Sequence, residues 1–199
     1  MGTEGDDDLK GTDDPDVIVA LGGNDHVLGR QGNDLICGGD GSDEIFGMGG
    51  KDKIVGDAGD DDLHGGVGND LLKGGLGNDI LQGFIGSDTE KGGSGSDWAV
   101  WTDETYSVTI DLSAGLATSG FGTDVLQSIE NAEGGAFPNT ITGDAGPNSL
   151  VGGLDNDSLL GLDGDDFLDG AAGSDHLDGG AGFNTCINGP DIVNCEALG

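Results

Sequence analysis

The sequence has very few positive charges, few aromatic residues and no long apolar run. Only six of its 199 residues are Lys or Arg, against 39 Asp or Glu, so the formal net charge is −33. Nucleic acids and anionic membranes would be repelled by such a chain, so neither is expected as a partner. No apolar run reaches the roughly 18 residues that a membrane-spanning helix needs. No signal-peptide pattern follows Met1, so the sequence is expected to begin as a mature or excised chain.

The shortage of core-forming residues predicts that apolar burial alone does not fold this chain. Aromatic residues make up only 5% of the sequence, while glycine occupies 44 positions. High net charge with few aromatic residues is typical of chains that do not collapse unaided. A multivalent cation is the expected source of the missing folding free energy, because metal binding and folding are coupled in such chains.

A nine-residue repeat fills the first half of the sequence. Eleven units follow one another in unbroken frame from Gly2 to Val100, as in the stretch GGVGNDLLKGGLGNDILQG. Positions one and four are each glycine in all units but one, and position eight is aliphatic from Leu9 to Leu81. Position six is aspartate in every unit: Asp7, Asp16, Asp25, Asp34, Asp43, Asp52, Asp61, Asp70, Asp79, Asp88 and Asp97.

Each unit is predicted to be a turn followed by a short strand. Glycines at positions one and four are expected to adopt the positive φ of a tight turn. Positions seven to nine alternate polar, apolar and polar, which is typical of a strand with one buried face. Two units then make one coil of an all-β, right-handed parallel solenoid, in which two parallel sheets face each other and position eight fills the gap between them.

The period also predicts a metal site. Stacked coils lie about 4.8 Å apart, so Asp25 is expected above Asp7, and so on along both edges. Such ladders of carboxylates repel unless cations lie between their members. Carboxylate and carbonyl oxygens suit Ca²⁺, with its six to eight flexible ligands, better than Mg²⁺.

Units such as GGVGNDLLK and GGLGNDILQ follow the pattern GGxGxDxUx, and they resemble the RTX family of hemolysin-type calcium-binding repeats. The resemblance implies a parallel β-roll in which each calcium ion takes position-six carboxylates from two stacked turns. The first of these turns also contributes the backbone carbonyls of its positions two and four, and the second contributes those of its positions one and three. For one ion the implied ligands are Asp70, Asp88 and the carbonyls of Gly66, Gly68, Gly83 and Ile85. About nine ions are expected in the first block.

The same resemblance implies carbonyl ligands throughout the first block. They are the carbonyls of Gly5, Gly23, Gly29, Gly32, Gly38, Gly41, Gly47, Gly50, Gly56, Gly59, Gly65, Gly74, Gly75, Gly77 and Gly92, besides those of the Asp70–Asp88 ion.

The repeat is interrupted and then returns in a weaker form. The predicted domains are a first block at 2–100, a strand-rich interruption at 101–133 that packs on or continues the roll, and a degenerate second block with a C-terminal cap at 134–199. SVTIDLSAGLATS and DVLQSIENAEGG in the interruption resemble a segment found between RTX blocks. Asparagine offers an oxygen but no charge, so only a few weaker calcium sites are expected in the second block. Its position-six residues are Asn139, Asn148, Asp157, Asp166, Asp175 and Asn184.

The three cysteines divide into a predicted pair and a single residue. Cys186 and Cys195 both fall at inward position eight of consecutive units, so a disulfide is predicted between them, with two buried free thiols as the alternative. Cys37 points outward, either as a free thiol or with a partner outside this sequence. A disulfide favours an oxidising, extracellular setting.

Histidines and aromatic residues give no sign of an active site. The histidines stand at outward strand positions, and no nucleophile motif accompanies them, so neither zinc binding nor catalysis is expected. The aromatic residues gather near the interruption, where packing over a thin part of the core is favoured and a carbohydrate-stacking platform is the alternative. The histidines are His26, His64 and His176, and the aromatic residues are Trp98, Trp101, Tyr106 and Phe121.

The sequence therefore predicts a secreted, calcium-binding β-roll protein or module, not an enzyme, that folds as several calcium ions bind in the extracellular medium. It is expected to be free-standing, or fused to or associated with a larger secreted protein. One alternative is a carbohydrate- or surface-binding module of a secreted enzyme or adhesin, although no basic stripe supports glycan binding. Another is a calcium-dependent ice-binding solenoid, which the irregular position-five column disfavours.

Overall fold

The structure is a computed structural model that describes residues 1–102 and 105–196. The described chain has no helix, and almost all of its regular structure is parallel β-sheet. Its strands are β1 (Asp8–Lys10), β2 (Val17–Gly22), β3 (His26–Gln31), β4 (Leu35–Asp40), β5 (Glu44–Gly49), β6 (Lys53–Ala58), β7 (Asp62–Val67), β8 (Leu71–Leu76), β9 (Ile80–Ile85), β10 (Thr89–Ser94), β11 (Trp98–Val100), β12 (Thr109–Asp111), β13 (Leu116–Thr118), β14 (Thr123–Gln127), β15 (Asn131–Glu133), β16 (Thr140–Thr142), β17 (Ser149–Val151), β18 (Ser158–Leu160), β19 (Phe167–Asp169), β20 (His176–Asp178), β21 (Thr185–Ile187) and β22 (Asp191–Val193).

The chain divides into two compact units. The first unit contains Met1–Ala99 and Phe121–Ile129, and the second contains Val100–Gly120 and Glu130–Gly199. The boundaries at 2–100, 101–133 and 134–199 describe the repeat pattern of the sequence, and they stay predictions.

The first unit is a β-solenoid of two parallel sheets. Alternate strands enter alternate sheets, in the orders β1-β3-β5-β7-β9-β11 and β2-β4-β6-β8-β10-β14. Neighbouring strands pair eighteen residues apart, so that Val27 of β3 lies beside Leu9 of β1 and Ile45 of β5, except that β14 pairs with β10 at a separation of 36 residues. The position-eight side chains from Val27 to Leu81 are fully buried, and they form the core predicted from the sequence.

The strands of the first unit are longer than predicted, and the glycines act differently. Strands β2 to β10 each have six residues and continue from position seven through position three of the next unit. Positive φ occurs at positions two and four, as at Met48 (φ 76°) and Gly50 (φ 132°). Position-one glycines such as Gly65 are absent from the positive-φ residues, so the expectation for position one was wrong. Position one is instead a place where a side chain has no room, as the metal site shows below.

The second unit repeats the architecture with shorter strands. Its parallel sheets have the orders β15-β17-β19-β21 and β12-β16-β18-β20-β22, and β13 pairs antiparallel with β12. Leu159 of β18 lies between Ile141 and Leu177 of the neighbouring strands, and all three are fully buried. Isolated bridges, such as Leu154 with Ala172, replace the continuous pairing at position three.

A disulfide closes the C-terminal end of the described chain, as predicted. Cys186 and Cys195 are joined, with their Cα atoms 5.8 Å apart. The predicted register of Cys195 was wrong, because Ile192 and not Cys195 pairs with Leu177. The last coil is therefore three residues short of the repeat, and Cys195 lies beyond β22. This shortening removes the difficulty of joining facing sheets that lie about 10 Å apart.

The aromatic residues near the interruption differ in exposure. Trp101 is one of the largest fully buried side chains of the second unit, so it offers no face to a sugar ring. Tyr106 is exposed, and its ring lies against Gly120. The packing role predicted for these residues holds for Trp101.

None of the described residues forms a helix that is both long enough and apolar enough to cross a membrane.

The buried position-eight column makes a direct prediction about stability. We expect Val27→Ala to lower the free energy of unfolding by about 2 kcal/mol, because a fully buried side chain is truncated and leaves a cavity. Urea denaturation in saturating calcium would measure the change. Val17→Ala is the matched control, since Val17 is 71% exposed and should change stability by less than about 0.5 kcal/mol. Equal effects of the two variants would contradict the assigned core.

Candidate metal centre

The position-six aspartates of the first unit form two continuous ladders. In each, the backbone N–H of one aspartate donates to Oδ1 of the aspartate eighteen residues later, with donor–acceptor distances of 2.7 to 3.0 Å. One ladder contains Asp7, Asp25, Asp43, Asp61, Asp79 and Asp97, and the other contains Asp16, Asp34, Asp52, Asp70 and Asp88. The structure thus brings together all the first-block aspartates that the sequence nominated.

The second carboxylate oxygen differs from the first in many of the ladder residues. There it is buried and accepts no hydrogen bond from the described protein, although burying an unpaired charged oxygen is costly. In the first unit this holds for Oδ2 of Asp25, Asp34, Asp43, Asp52, Asp61, Asp70 and Asp79, and in the second for Oδ2 of Asp157, Asp166 and Asp175. Oxygens of this kind, repeated at every turn, are what a row of bound cations requires.

The position-one glycines make room for this oxygen. A Cβ added to Gly65 would lie 2.7 Å from Oδ2 of Asp70 and 2.9 Å from the carbonyl oxygen of Gly83 in the next coil. Both distances are too short for a real side chain. Glycine is therefore needed here for space and not for its φ angle.

Backbone carbonyls converge on the same gap between stacked turns. The carbonyls of position two and position four face the coil that follows, since a Cβ on Gly66 or Gly68 would overlap the carbonyl of Met48 or Gly50. The position-three carbonyl faces the opposite way, and that of Ile85 accepts a hydrogen bond from Gly68 N at 2.8 Å. Each gap therefore holds carbonyl oxygens from two turns together with two carboxylates, a hard-oxygen set that fits Ca²⁺.

Burial shifts the acidity of the ladder. It is the main cause that raises the pKa of Asp61 to about 7 and the pKa values of Asp70 and Asp157 to about 6. Neighbouring aspartates of the same ladder raise these pKa values further. Burial also raises the pKa values of Asp34, Asp43, Asp52, Asp79 and Asp166.

A family model described as RTX calcium-binding nonapeptide repeat (4 copies) matches residues 1–36, 38–72, 64–99, 133–168 and 151–186, which is well over half of the chain. The chain belongs to the RTX calcium-binding repeat family. It is therefore a calcium-binding β-roll module, and its ladders supply the oxygens that such an ion needs. No match was found among curated proteins.

The first two turns of this RTX chain satisfy their aspartates without an ion. Thr3 donates to Oδ2 of Asp7 from both its backbone N–H, at 2.6 Å, and its hydroxyl, at 2.9 Å. Thr12 does the same for Asp16, at 2.6 and 3.0 Å. Threonine thus supplies donors at the N-terminal end of both ladders. The roles of Asp7 and Asp16 as calcium ligands stay predictions.

Asparagine replaces aspartate at three turns of the second unit, and its amide changes the chemistry of the gap. Nδ2 of Asn139 donates to the carbonyl of Gly152 at 3.1 Å, and Nδ2 of Asn148 donates to the carbonyl of Glu130 at 2.8 Å. Nδ2 of Asn184 makes the equivalent bond to the carbonyl of Asn194 at 3.2 Å. A side-chain N–H thus occupies carbonyl oxygens at these turns, and the expectation of fewer calcium sites in this block stays a prediction.

The structure adds one aspartate that the sequence analysis missed. Oδ1 of Asp124 accepts the backbone N–H of Asp88 at 2.9 Å, so Asp124 continues the second ladder although it lies 36 residues further along the chain. It is almost fully buried. The signal was present, since SGFGTDVLQ at 119–127 contains the GxDxUx core of a repeat unit. Asp124 keeps the nine-residue frame counted from Gly2, and it was missed because the two intervening units, residues 101–118, do not follow the repeat.

Glu90 is a second unusual acid of the first unit. It stands at inward position eight and is fully buried, with Oε1 accepting the Gly83 N–H at 2.9 Å. Burial, followed by the charges of Asp124 and Asp88, raises the pKa of Glu90 well above its usual range.

Among the described residues, no three His, Cys, Asp or Glu side chains form a ready-made metal cluster. This is consistent with RTX gaps, in which two carboxylates are completed by main-chain carbonyls.

The remaining candidates contact carboxylates on the outer faces. Cys37 is a free thiol whose Sγ lies 2.9 Å from Oδ2 of Asp57, and burial is the main cause that raises its pKa to about 11. The thiol is therefore protonated at neutral pH and is a poor nucleophile. The histidines lie beside carboxylates: His26 beside Asp8 and Glu44, His64 beside Asp62, and His176 beside Asp191.

The role of position-one glycine can be tested with one methyl group. We expect Gly65→Ala to weaken calcium binding at the Asp70 gap about tenfold, because the new Cβ displaces the Asp70 carboxylate. Isothermal titration calorimetry would measure the affinity. Gly5→Ala is the control, since a Cβ at Gly5 meets no atom within 4 Å. Wild-type binding by Gly65→Ala would contradict the steric role.

The raised pKa values predict opposite effects of pH without and with calcium. When the pKa of a carboxyl is higher in the folded state than in the unfolded state, the group stabilises the fold at low pH. This contribution is complete below the unfolded pKa of 3.8 and is lost as the pH rises through the folded pKa, which is about 7 for Asp61. After calcium removal on a chelating resin, we expect more β-structure by circular dichroism at pH 5 than at pH 7.5. With calcium, the folding midpoint should require more calcium at pH 5, because protons compete for the same oxygens. A calcium midpoint that does not depend on pH would contradict this.

Proposed function

We propose that this RTX chain is a non-enzymatic module that is secreted and folds outside the cell when calcium fills its ladders. Calcium acts in this proposal as the partner that converts an extended acidic chain into a stiff β-roll. The module then gives a rigid, acidic and soluble surface to a larger secreted protein that carries it or associates with it.

The observation that carries this proposal is the row of buried, unpartnered Oδ2 atoms. Seven such oxygens recur through the first unit. Each ionised oxygen makes the roll unfavourable without a cation, and each becomes a ligand when calcium is present. Folding and calcium binding are then a single coupled event.

An extracellular setting is supported by two further features. The Cys186–Cys195 disulfide is typical of oxidising compartments. RTX repeat proteins are also typically secreted. Calcium is abundant outside cells, so a chain that stays extended during export and folds afterwards fits both features.

The ladders suggest how the ions are distributed. Aspartates paired eighteen residues apart offer nine gaps in the first unit, and the Asp88–Asp124 pair adds a tenth. In the second unit, Asp157 and Asp175 form the one pair with two carboxylates among the described ladder residues. We propose that calcium binds mainly to the first unit.

A glycan-binding role is the second candidate, and one surface feature favours it. An apolar groove of about 230 Å³ lies on the outer face of β5, β7 and β9. It is lined by Phe46, Met48, His64, Gly66, Val67, Phe84 and Ile85. However, the rings of Phe46 and His64 stack on each other with centroids 4.4 Å apart, so one face of each is already covered. The groove is therefore a weaker argument than the ladders.

Far-UV circular dichroism of the full chain tests the proposed coupling. The calcium-stripped chain would be titrated with Ca²⁺ and, separately, with Mg²⁺, at neutral pH. We expect a cooperative gain of β-signal with Ca²⁺ at a midpoint within the extracellular range, and little change with Mg²⁺ at the same concentration. A chain that is already fully β-structured after calcium removal would overturn the proposal.

A pair of neighbouring substitutions separates the ladder from general acidity. We expect Asp61→Ala to move the calcium midpoint several-fold higher and to lower the number of bound ions by up to two, because Asp61 borders two gaps. Asp62→Ala removes the same charge from the outer face, where Asp62 contacts His64, and should leave the midpoint nearly unchanged. Equal shifts for the two variants would mean that overall charge and not the ladder controls folding.

A further inference from the structure

Glu90 breaks the repeat at its most constrained position. In β10 it lies between Leu72 of β8 and Leu126 of β14, in a column whose other members in the first unit are aliphatic or alanine. Its side chain is fully buried, and a carboxylate in that place needs a reason that packing does not supply.

The two carboxylate oxygens of Glu90 differ in their hydrogen bonding. Oε1 accepts the Gly83 N–H at 2.9 Å, whereas Oε2 is buried and has no hydrogen-bond partner among the described residues. A cation would satisfy this atom.

The surroundings of Glu90 are those of the last gap of the second ladder. A Cβ on Gly83 would lie 2.5 Å from Oδ2 of Asp88 and 2.8 Å from Oε1 of Glu90. Both carboxylates therefore border the space that a side chain at Gly83 would occupy. Asp124 joins Asp88 through the ladder hydrogen bond of 2.9 Å and is itself buried. Its charge and that of Asp88 both act on Glu90.

We propose that Glu90 is a calcium ligand, and that a bound ion draws Oε2 of Glu90 together with the carboxylates of Asp88 and Asp124 at the end of the second ladder, where these groups do not form a ready-made cluster. Oε1 keeps its bond to Gly83. This gap then has three carboxylates where the repeat gaps have two. Calcium affinity increases with the number of charged ligands, so this site is the tightest of the ladder and fills first.

The proposal explains why a charged residue is kept in the core column. An aliphatic side chain at position 90 would complete the packing between Leu72 and Leu126, but it would leave the terminal gap with ordinary affinity. With Glu90, the first ion is held where β10 meets β14, which comes from a separate part of the chain. Binding of that ion thus fastens the 121–129 segment onto the first unit. This role is independent of whether the protein acts outside the cell.

Two substitutions of Glu90 test the site in the full chain. Glu90→Gln keeps an oxygen for the Gly83 N–H and replaces the proposed ligand by an NH₂ group. Glu90→Leu restores the aliphatic residue of the repeat, so it should fold even if Glu90→Gln does not. Glu44→Gln is the matched control, because Glu44 lies on the exposed outer face of β5.

Native mass spectrometry would count the bound ions at the free calcium concentration at which the wild-type chain has bound its first ion. We expect one ion fewer for Glu90→Gln and for Glu90→Leu, and an unchanged count for Glu44→Gln. Isothermal titration calorimetry should also show loss of the tightest binding step in both Glu90 variants. An unchanged count and unchanged affinities in both variants would overturn the proposal, even if calcium-coupled folding itself is observed.

Discussion

Repulsion between stacked carboxylates is the constraint on which this structure depends. Parallel strands about 4.8 Å apart place equivalent residues above one another, so an aspartate at every ninth residue must form ladders. Two carboxylates at this spacing repel by roughly 3 kcal/mol at an effective dielectric constant near 20. Cations between the turns reverse the sign of this interaction. The rest of the turn fits such ions: position one is glycine in all first-block units but one, and the carbonyls of both neighbouring turns face the gap.

The ends of the ladders show what can take the place of an ion. Thr3 and Thr12 bring two donors each to the first aspartates, and the amides of Asn139 and Asn148 donate to turn carbonyls in the second unit. Both solutions use N–H or O–H groups where a repeat gap uses a cation. At these turns the oxygens have hydrogen-bond donors from the chain itself and do not need a calcium ion. These bonds support the proposal that calcium binds mainly to the aspartate ladders of the first unit.

The parts of the structure that follow from period and charge could be predicted residue by residue. The pairing of Val27 with Leu9 and Ile45, and the ladder from Asp7 to Asp97, need only a strand period and a coil of eighteen residues. Predictions failed where one residue type can serve two purposes. Glycine at position one suggested positive φ, but the structure uses it for space beside the aspartate oxygen. Cys195 was placed by counting in nines, although the last coil is three residues short.

Sequence alone determined the family, the two-sheet solenoid, the register of the first eleven units and the Cys186–Cys195 pair, and it nominated the aspartates that form the ladders. It could determine the solenoid and its register because both depend on contacts that repeat every eighteen residues. Only the tertiary structure decided what happens where the repeat is interrupted or ends. It placed Asp124 above Asp88 from 36 residues away, enclosed Glu90 beside them and set Ile192, not Cys195, beside Leu177. Whether the chain returns to the ladder after the interruption, and how long its last coil is, depends on the path of the folded chain and not on the period.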